Sequence, residues 1–196
     1  MSIDSGRASD SARSPVRVIK RSQRFTHRCW MIAGGILVAA MALAAAWPLH
    51  ALLIETIPAG RPVFVERVQP GRRLSLGFLH SVENCRIWDH LAIGRAYEMV
   101  VVATEFSESR TGLPYAAFGA EVFERRGDGF MIRNMHRLVP EIYQWVDARY
   151  ENTLRIDGGR DIALASLAGR TLLHIAVVEM PAVRYAWLKV NLCCRL

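Results

Sequence analysis

The pattern of apolar residues along the chain changes once, near residue 50. From Cys29 to Leu49 no residue is charged, and a helix of this length spans roughly 30 Å, the hydrocarbon thickness of a bilayer. Trp30 and Trp47 bracket this run, as aromatic residues do at the two interfaces of a membrane. The pattern predicts one hydrophobic helix over residues 29–50, acting as a transmembrane or signal segment.

Two interpretations of this helix are open. It is either an uncleaved signal-anchor or a secretory signal peptide cut after Ala46, where Ala44 and Ala46 satisfy the small-x-small rule. Residues 1–28 carry most of the net charge of +7 and few large apolar side chains, which predicts a disordered basic tail in the cytoplasm. Both interpretations place the rest of the chain in the periplasm, either anchored by a single inner-membrane pass or released.

From about Ala51 the apolar positions alternate with a period of two, and Gly, Pro and Asp residues interrupt them, which is typical of strands and tight turns. The alternation from Leu74 to Val82 places His80 on the apolar face of its strand. This predicts an all-β domain over residues 51–180, an antiparallel sandwich or small barrel of about 8–10 strands. Residues 181–196 are predicted to form a C-terminal tail that packs on the sheet or lies at the membrane surface.

Several local predictions accompany this fold class. Gly127, Asp128 and Gly129 form the turn of one predicted hairpin, and residues 157–160 form the turn of another. The second hairpin joins a strand ending near residue 156 to one formed by DIALASL, residues 161–167. The segment 141–150 is compatible with either a strand or a short helix.

Composition and motifs argue against several classes of function. The basic residues concentrate in the N-terminal tail, so the net charge does not indicate a nucleic-acid-binding face. The sequence contains no GxSxG elbow, no phosphate-binding glycine loop and no zinc-ligand spacing. We therefore predict no catalytic residue, no cofactor, no metal and no nucleic-acid partner, and we do not expect an enzyme.

One group of polar residues is a candidate ligand-binding or functional surface. His80 ends an apolar strand face, so its imidazole is expected at the rim of the core, where it is a proton acceptor, a metal ligand or a clamp for a solute. The alternative is that His80 and Glu83 bond to the backbone where the strand ends. Asp89 and His90 are neighbours that point to opposite faces of a strand, which disfavours a shared metal. The predicted surface comprises His80, Ser81, Glu83, Asp89, Ser107, Gly112, Leu113 and Pro114.

The same residues resemble the bacterial family called domain of unknown function 1850. The resemblance runs from about Glu55 to Val178 and rests on FLHSVE at 78–83, on the acidic Asp89 and on FSESRTGLP at 106–114. The G-x-G-F hairpin near Phe130 and the RIDGG turn near Asp157 extend it. The chain departs from the family pattern at 85–87 and at 110–112, so its ligand preference is expected to differ there.

The resemblance implies an exported or membrane-anchored protein without an assigned activity. Such proteins are often encoded beside the permease of TRAP transporters of the TAXI type, which implies an accessory role at that permease or at its periplasmic binding protein. A second hypothesis is a small-solute-binding β-module with a rim site formed by His80, Glu83 and Asp89. A metal-dependent or hydrolytic enzyme is the third.

Overall fold

The structure is a computed structural model that describes residues 20–80, 85–107, 117–127 and 129–193. The chain divides between Ala44 and Ala45 into two compact units. The first contains most of one helix, and the second contains the strands found in the described residues.

Helix α1 extends from Lys20 to Ala46 and covers most of the predicted hydrophobic segment. It begins inside the predicted cytoplasmic tail and ends before Pro48, which lacks an N–H group for a further helical bond. The first strand begins at Pro48, so the domain boundary predicted at residue 50 lies inside that strand. In the part of the chain that the structure describes, no helix combines the length and the apolar character that crossing a membrane requires.

The second unit is mostly β-structure. Eleven strands lie in its described residues: β1 (Pro48–Ile57), β2 (Arg61–Arg67), β3 (Arg73–Leu79), β4 (Arg86–Ile93), β5 (Met99–Phe106), β6 (Val122–Arg126), β7 (Gly129–Val139), β8 (Glu141–Val146), β9 (Thr153–Ile156), β10 (Ile162–Ala163) and β11 (Thr171–Pro181). The remaining elements are a 3-10 helix (Ala148–Tyr150), α2 (Leu164–Ala168) and α3 (Ala182–Cys193). The all-β prediction is confirmed, with more strands than expected.

The strands form two antiparallel sheets. The smaller sheet has the order β2-β1-β11-β8, and the larger has the order β10-β9-β3-β4-β5-β7-β6. Buried apolar side chains from both sheets form one core, to which the smaller sheet contributes Leu52, Ile54, Leu173 and Ile175 and the larger sheet contributes Leu74, Leu91, Ile93 and Leu154. The two sheets therefore pack face to face, as expected for a sandwich.

The larger sheet carries a second apolar cluster on the face that also supplies the shared core. Phe106, Phe123 and Phe130 pack together there, with ring centroids 5.5 to 6.3 Å apart. Ile87 and Ile132 are buried in the same cluster. One continuous sheet face thus serves two separate apolar clusters.

One local prediction was wrong, and a second left open two alternatives. In DIALASL only Ile162 and Ala163 form a strand, because the chain then turns into α2, whose Leu164 is fully buried in the core. The predicted C-terminal tail contains α3, which packs on the sheet as one of the two alternatives stated, because its Leu188 is buried against the outer face of the smaller sheet. Apolar residues spaced for a helix and for a strand are hard to distinguish over such short segments.

Both predicted hairpins are present in the structure. Arg126 pairs with Gly129, so β6 and β7 form the predicted hairpin, whose turn residue Asp128 lies outside the described residues. Strand β9 pairs with β10 across the predicted turn at 157–160. The ambiguous segment 141–150 contains both a strand, β8, and the 3-10 helix.

Candidate functional site

A cleft of about 520 Å³ opens between the two sheets beside the edge strand β8. Its walls are mainly apolar, and four polar residues interrupt them, namely His80, Asp89, Gln144 and Asn152. The apolar wall consists of Leu76, Phe78, Leu79, Leu91, Val101, Val139, Ile142, Tyr143, Trp145 and Tyr150. Two residues of the predicted surface, His80 and Asp89, therefore line one cavity.

Asp89 is the acidic residue of this cleft. It lies on the inward face of β4, between Ile87 of the second apolar cluster and Leu91 of the shared core. Across the sheet it pairs in register with Leu76 on β3 and with Thr104 on β5. A carboxylate at this point of a sheet interior interrupts an otherwise apolar face, and folding alone does not require it.

One hydrogen bond holds the Asp89 carboxyl in place. The hydroxyl of Thr104 donates to Asp89 Oδ1 over 2.8 Å. Burial raises the pKa of Asp89, while this hydrogen bond and the charges of His90 and Arg137 oppose the rise. The carboxyl is therefore easier to protonate than an exposed aspartate and is suited to exchange a proton or a hydrogen bond with a bound molecule.

His80 follows the last residue of β3 and lines the cleft together with Leu76 and Phe78 of that strand. Its backbone N–H donates to the carbonyl of Cys85 over 2.9 Å, which joins the end of β3 to the start of β4. This bond fixes the backbone at His80, one of the residues that line the cleft.

The wall opposite β4 comes from β8 and the 3-10 helix. Asp147 accepts hydrogen bonds from the backbone N–H and the guanidinium of Arg149, and Arg170 approaches it at 3.3 Å. The bonds from Arg149 lower the pKa of Asp147 to about 2. The N–H of Asp147 in turn donates to Asn152 Oδ1 over 3.1 Å, so this ionised carboxylate anchors the turn that carries Tyr150 and Asn152 into the cleft.

His90 lies on the other face of β4, as its sequence neighbourhood with Asp89 predicts. Its Nδ1 lies 2.9 Å from the hydroxyl of Ser75, and its Nε2 lies 3.6 Å from a carboxylate oxygen of Glu105. His90 and Asp89 therefore face different surroundings. Among the described residues, no group of three or more His, Cys, Asp and Glu side chains is arranged to hold a metal ion.

The remaining members of the predicted surface are placed as follows. Ser107 is exposed just after β5, where its N–H donates to the carbonyl of Arg86 over 3.3 Å, and it is not part of the cleft wall. Ser81, Glu83, Gly112, Leu113 and Pro114 lie outside the described residues. The structure therefore brings together two members of the predicted surface, and it adds residues that sequence reasoning missed, among them Thr104, Gln144, Tyr150 and Asn152.

The missed residues come from segments far from FLHSVE along the chain. Among the missed residues, Thr104 could have been identified from the local sequence, because it is a hydroxyl residue in the apolar run MVVVATEF of β5. Asn152 and Tyr150 reach the cleft only because β8 pairs with β11 at the edge of the smaller sheet. That pairing depends on the packing of the whole domain, and no local pattern predicts it.

Comparison with known families supports the resemblance noted above. Residues 74–163 match the model of the family described as Domain of unknown function (DUF1850). The resemblance is thus confirmed over a segment shorter than the predicted range of 55–178, and that segment includes every residue that lines the cleft, His80 and Asp89 among them. No curated protein and no solved structure shows significant similarity to the chain.

Proposed function

We propose that the β-unit, with its family resemblance over residues 74–163, is a binding module that holds a small solute in the cleft between its two sheets. The observation that carries this proposal is the half-buried carboxyl of Asp89 inside an apolar cleft of about 520 Å³. Ligand pockets of proteins are typically ~300–1,000 Å³ in size, mainly apolar, and equipped with a few polar groups that fix orientation.

The cleft chemistry indicates what kind of solute fits. Its apolar wall accommodates a hydrocarbon or aromatic body, and Asp89 provides one polar anchor. A protonated Asp89 donates a hydrogen bond to a carbonyl or carboxylate, whereas an ionised Asp89 pairs with an ammonium group. His80 at the rim offers a second polar contact to the part of the solute that remains in water.

A thermal-shift screen tests this proposal. The full chain is heated with a panel of small organic acids and amines that carry apolar bodies, next to the variants Asp89→Asn and His80→Ala. We expect members of one class to raise the wild-type melting temperature. Asp89→Asn should lose most of a shift that amines produce, because it carries no charge, and should keep a shift that acids produce, because its amide donates a hydrogen bond as a protonated carboxyl does. No shift with any class, or an amine-induced shift that is equal in Asp89→Asn, would remove the cleft as the binding site.

A suitable control lies on the outer face of the same strand. Trp88 is the residue before Asp89, and its ring packs under the guanidinium of Arg155 away from the cleft. Trp88→Phe should retain the whole ligand-induced shift, even if its own melting temperature falls. This control separates loss of a ligand contact from general damage to β4.

A second proposal concerns partners. The resemblance implies a place beside a TAXI-type TRAP permease or its binding protein, and the sequence implies that the β-unit lies outside the cytoplasm. The open edge of the smaller sheet supports a docking role, because β8 is its last strand and exposes Tyr143 and Trp145, which are 56% and 49% accessible. Edge strands and exposed aromatic residues are common features of protein contacts.

Co-purification from native membranes tests the partner proposal. A tagged full chain should retain the permease or the binding protein, and replacement of Tyr143 and Trp145 by serine should weaken that retention. A C-terminal reporter that is active only in the periplasm tests location in the same strain. Retention of neither protein, or a reporter that stays in the cytoplasm, would contradict this second proposal and leave the solute-binding proposal open.

A further inference from the structure

Helix α3 has two apolar faces, although it packs on the protein with only one. Leu188 is 5% exposed and lies in the cluster formed with Ala51, Val65 and Met180 on the outer face of the smaller sheet. Tyr185 and Leu192 are partly buried against the same cluster. This inner face attaches the helix to β1, β2 and β11.

The outer face of α3 is apolar and open. Val183, Trp187 and Val190 follow the spacing i, i+4 and i+7, which places them on one side of a helix, and they are 57%, 64% and 63% exposed. Ala186 and Cys193 are also exposed and extend the stripe. A surface helix normally turns charged or polar residues to water, so a second apolar stripe indicates a surface that another phase or molecule covers.

The position of α3 in the chain indicates what covers the stripe. The N–H of Ala182, at the start of α3, donates to the carbonyl of Trp47 over 2.9 Å. Trp47 immediately follows α1, whose apolar side chains are exposed, and its own side chain is 67% exposed. The stripe therefore begins beside the residue at which the hydrophobic segment of the chain joins the β-unit.

Charge points to the same kind of surface. α3 contains Arg184 and Lys189 and no acidic residue. Lys189 bonds to Glu66 and to the carbonyl of Val65, which ties the inner flank of the helix to β2, whereas Arg184 is exposed. Tryptophan and arginine beside an apolar stripe suit the boundary between lipid headgroups and acyl chains, which also attracts basic residues when the lipids are anionic.

We propose that the outer face of α3 rests on a lipid bilayer as an interfacial helix and holds the β-unit against the membrane surface. Val183, Trp187 and Val190 enter the outer part of the acyl region, and Trp47 marks the same level of the membrane. An interfacial helix lies in the plane of the bilayer and needs no spanning length. This contact is independent of the cleft and of any solute in it.

Quenching of tryptophan fluorescence by brominated lipid tests this proposal. The full chain is reconstituted in vesicles of phosphatidylcholine and phosphatidylglycerol, with and without bromine near the top of the acyl chains. The variants are Trp187→Phe and, as a matched control, Trp145→Phe, which removes another exposed indole from the edge strand β8. The emission that each substitution removes is obtained by subtraction from the wild type.

We expect bromine to quench most of the emission that Trp187 contributes and little of the emission that Trp145 contributes. A Trp187 component unaffected by brominated lipid would overturn the proposal. The proposal would also fail if Trp187 were unquenched and Trp187→Phe changed the oligomeric state that sedimentation in detergent measures. A second copy of the chain would then cover the stripe. A failure of the solute screen leaves this result untouched.

Discussion

Thr104 and Asp89 face each other across β5 and β4, and the threonine hydroxyl donates to the aspartate over 2.8 Å on the inward face of the larger sheet. This polar pair lies between two apolar clusters that need no polar group for their packing. Burial of a carboxyl is unfavourable unless partners compensate for lost hydration. The pair therefore makes the fold less stable than an apolar pair at the same positions would, as is common at binding sites.

The substitution Asp89→Asn should stabilise the protein at neutral pH. Since burial raises the pKa of Asp89, the carboxyl holds a proton more tightly in the folded protein than in the unfolded chain. That contribution to stability is complete below the ordinary pKa of 3.8 and is lost as pH rises through the raised value. An asparagine keeps an oxygen for Thr104 without the charge, so we expect a gain of about 1 kcal/mol at pH 7 and little gain at acidic pH.

Chemical denaturation at several pH values measures this difference. The control is Asp161→Asn, because the bond from Arg155 lowers the pKa of that exposed carboxyl and so reverses the sign. Asp161→Asn should not stabilise the protein at pH 7. A loss of stability in Asp89→Asn at neutral pH would show that the carboxylate is favourable where it lies.

The fold class and the hairpins follow from local patterns, since alternation and turn residues act over a few neighbours. The place of His80 in the cleft lining agrees with the alternation that starts at Leu74, and the opposite placement of Asp89 and His90 followed from their adjacency. The cleft itself could not be predicted in this way. It exists because β8 is the last strand of the smaller sheet, so the larger sheet extends beyond it.

The error in DIALASL has a similar origin. Leu164 belongs to a segment whose alternation resembles a strand, and burial of Leu164 by both sheets outweighed that preference. No secondary structure was predicted for α3, because apolar residues on two of its faces conceal the helical period that a single apolar face would show. In DIALASL, tertiary packing therefore overrides a local pattern.

Asp147→Asn should remove an acid-dependent part of the stability. The pKa of Asp147 is lowered to about 2 by its bonds from Arg149, so the stability it contributes is present above 3.8 and is lost as pH falls toward 2. The wild type should therefore destabilise more steeply than the variant between these two values. Denaturation at closely spaced acidic pH values checks this, and parallel pH profiles would contradict it.

Gly77→Ala should destabilise the protein through Trp88. The two residues pair across β3 and β4, and a Cβ at position 77 would lie 2.7 Å from the Trp88 ring. The ring would have to move from under the guanidinium of Arg155, whose Cζ lies 4.4 Å from the ring centroid. We expect a loss of about 1–2 kcal/mol, measured by urea denaturation.

A double-mutant cycle isolates that contact. In the background of Trp88→Ala the ring is absent, so Gly77→Ala should be neutral or slightly stabilising, because alanine restricts the unfolded chain. The coupling energy should therefore be about 1–2 kcal/mol. If Gly77→Ala costs the same in both backgrounds, the cause lies in the backbone of β3 and not in the tryptophan.

Filling the cleft should abolish solute binding while the fold persists. Val139 lines the cleft at the end of β7, and its neighbour Leu138 points to water and is 63% exposed. Val139→Trp places a large ring in a cavity of about 520 Å³, so we expect a change in unfolding free energy of no more than ~1–2 kcal/mol. Leu138→Trp adds the same ring one residue earlier, on the other face of the strand.

The comparison of these two variants decides between a specific cleft and a nonspecific apolar surface. A solute that raises the wild-type melting temperature should have little effect on Val139→Trp and its usual effect on Leu138→Trp. Because both variants carry the same new side chain, a difference between them reflects its position alone. Equal loss of binding in both would mean that the solute does not occupy the space beside Asp89, and the binding function would then have to be sought elsewhere on the domain.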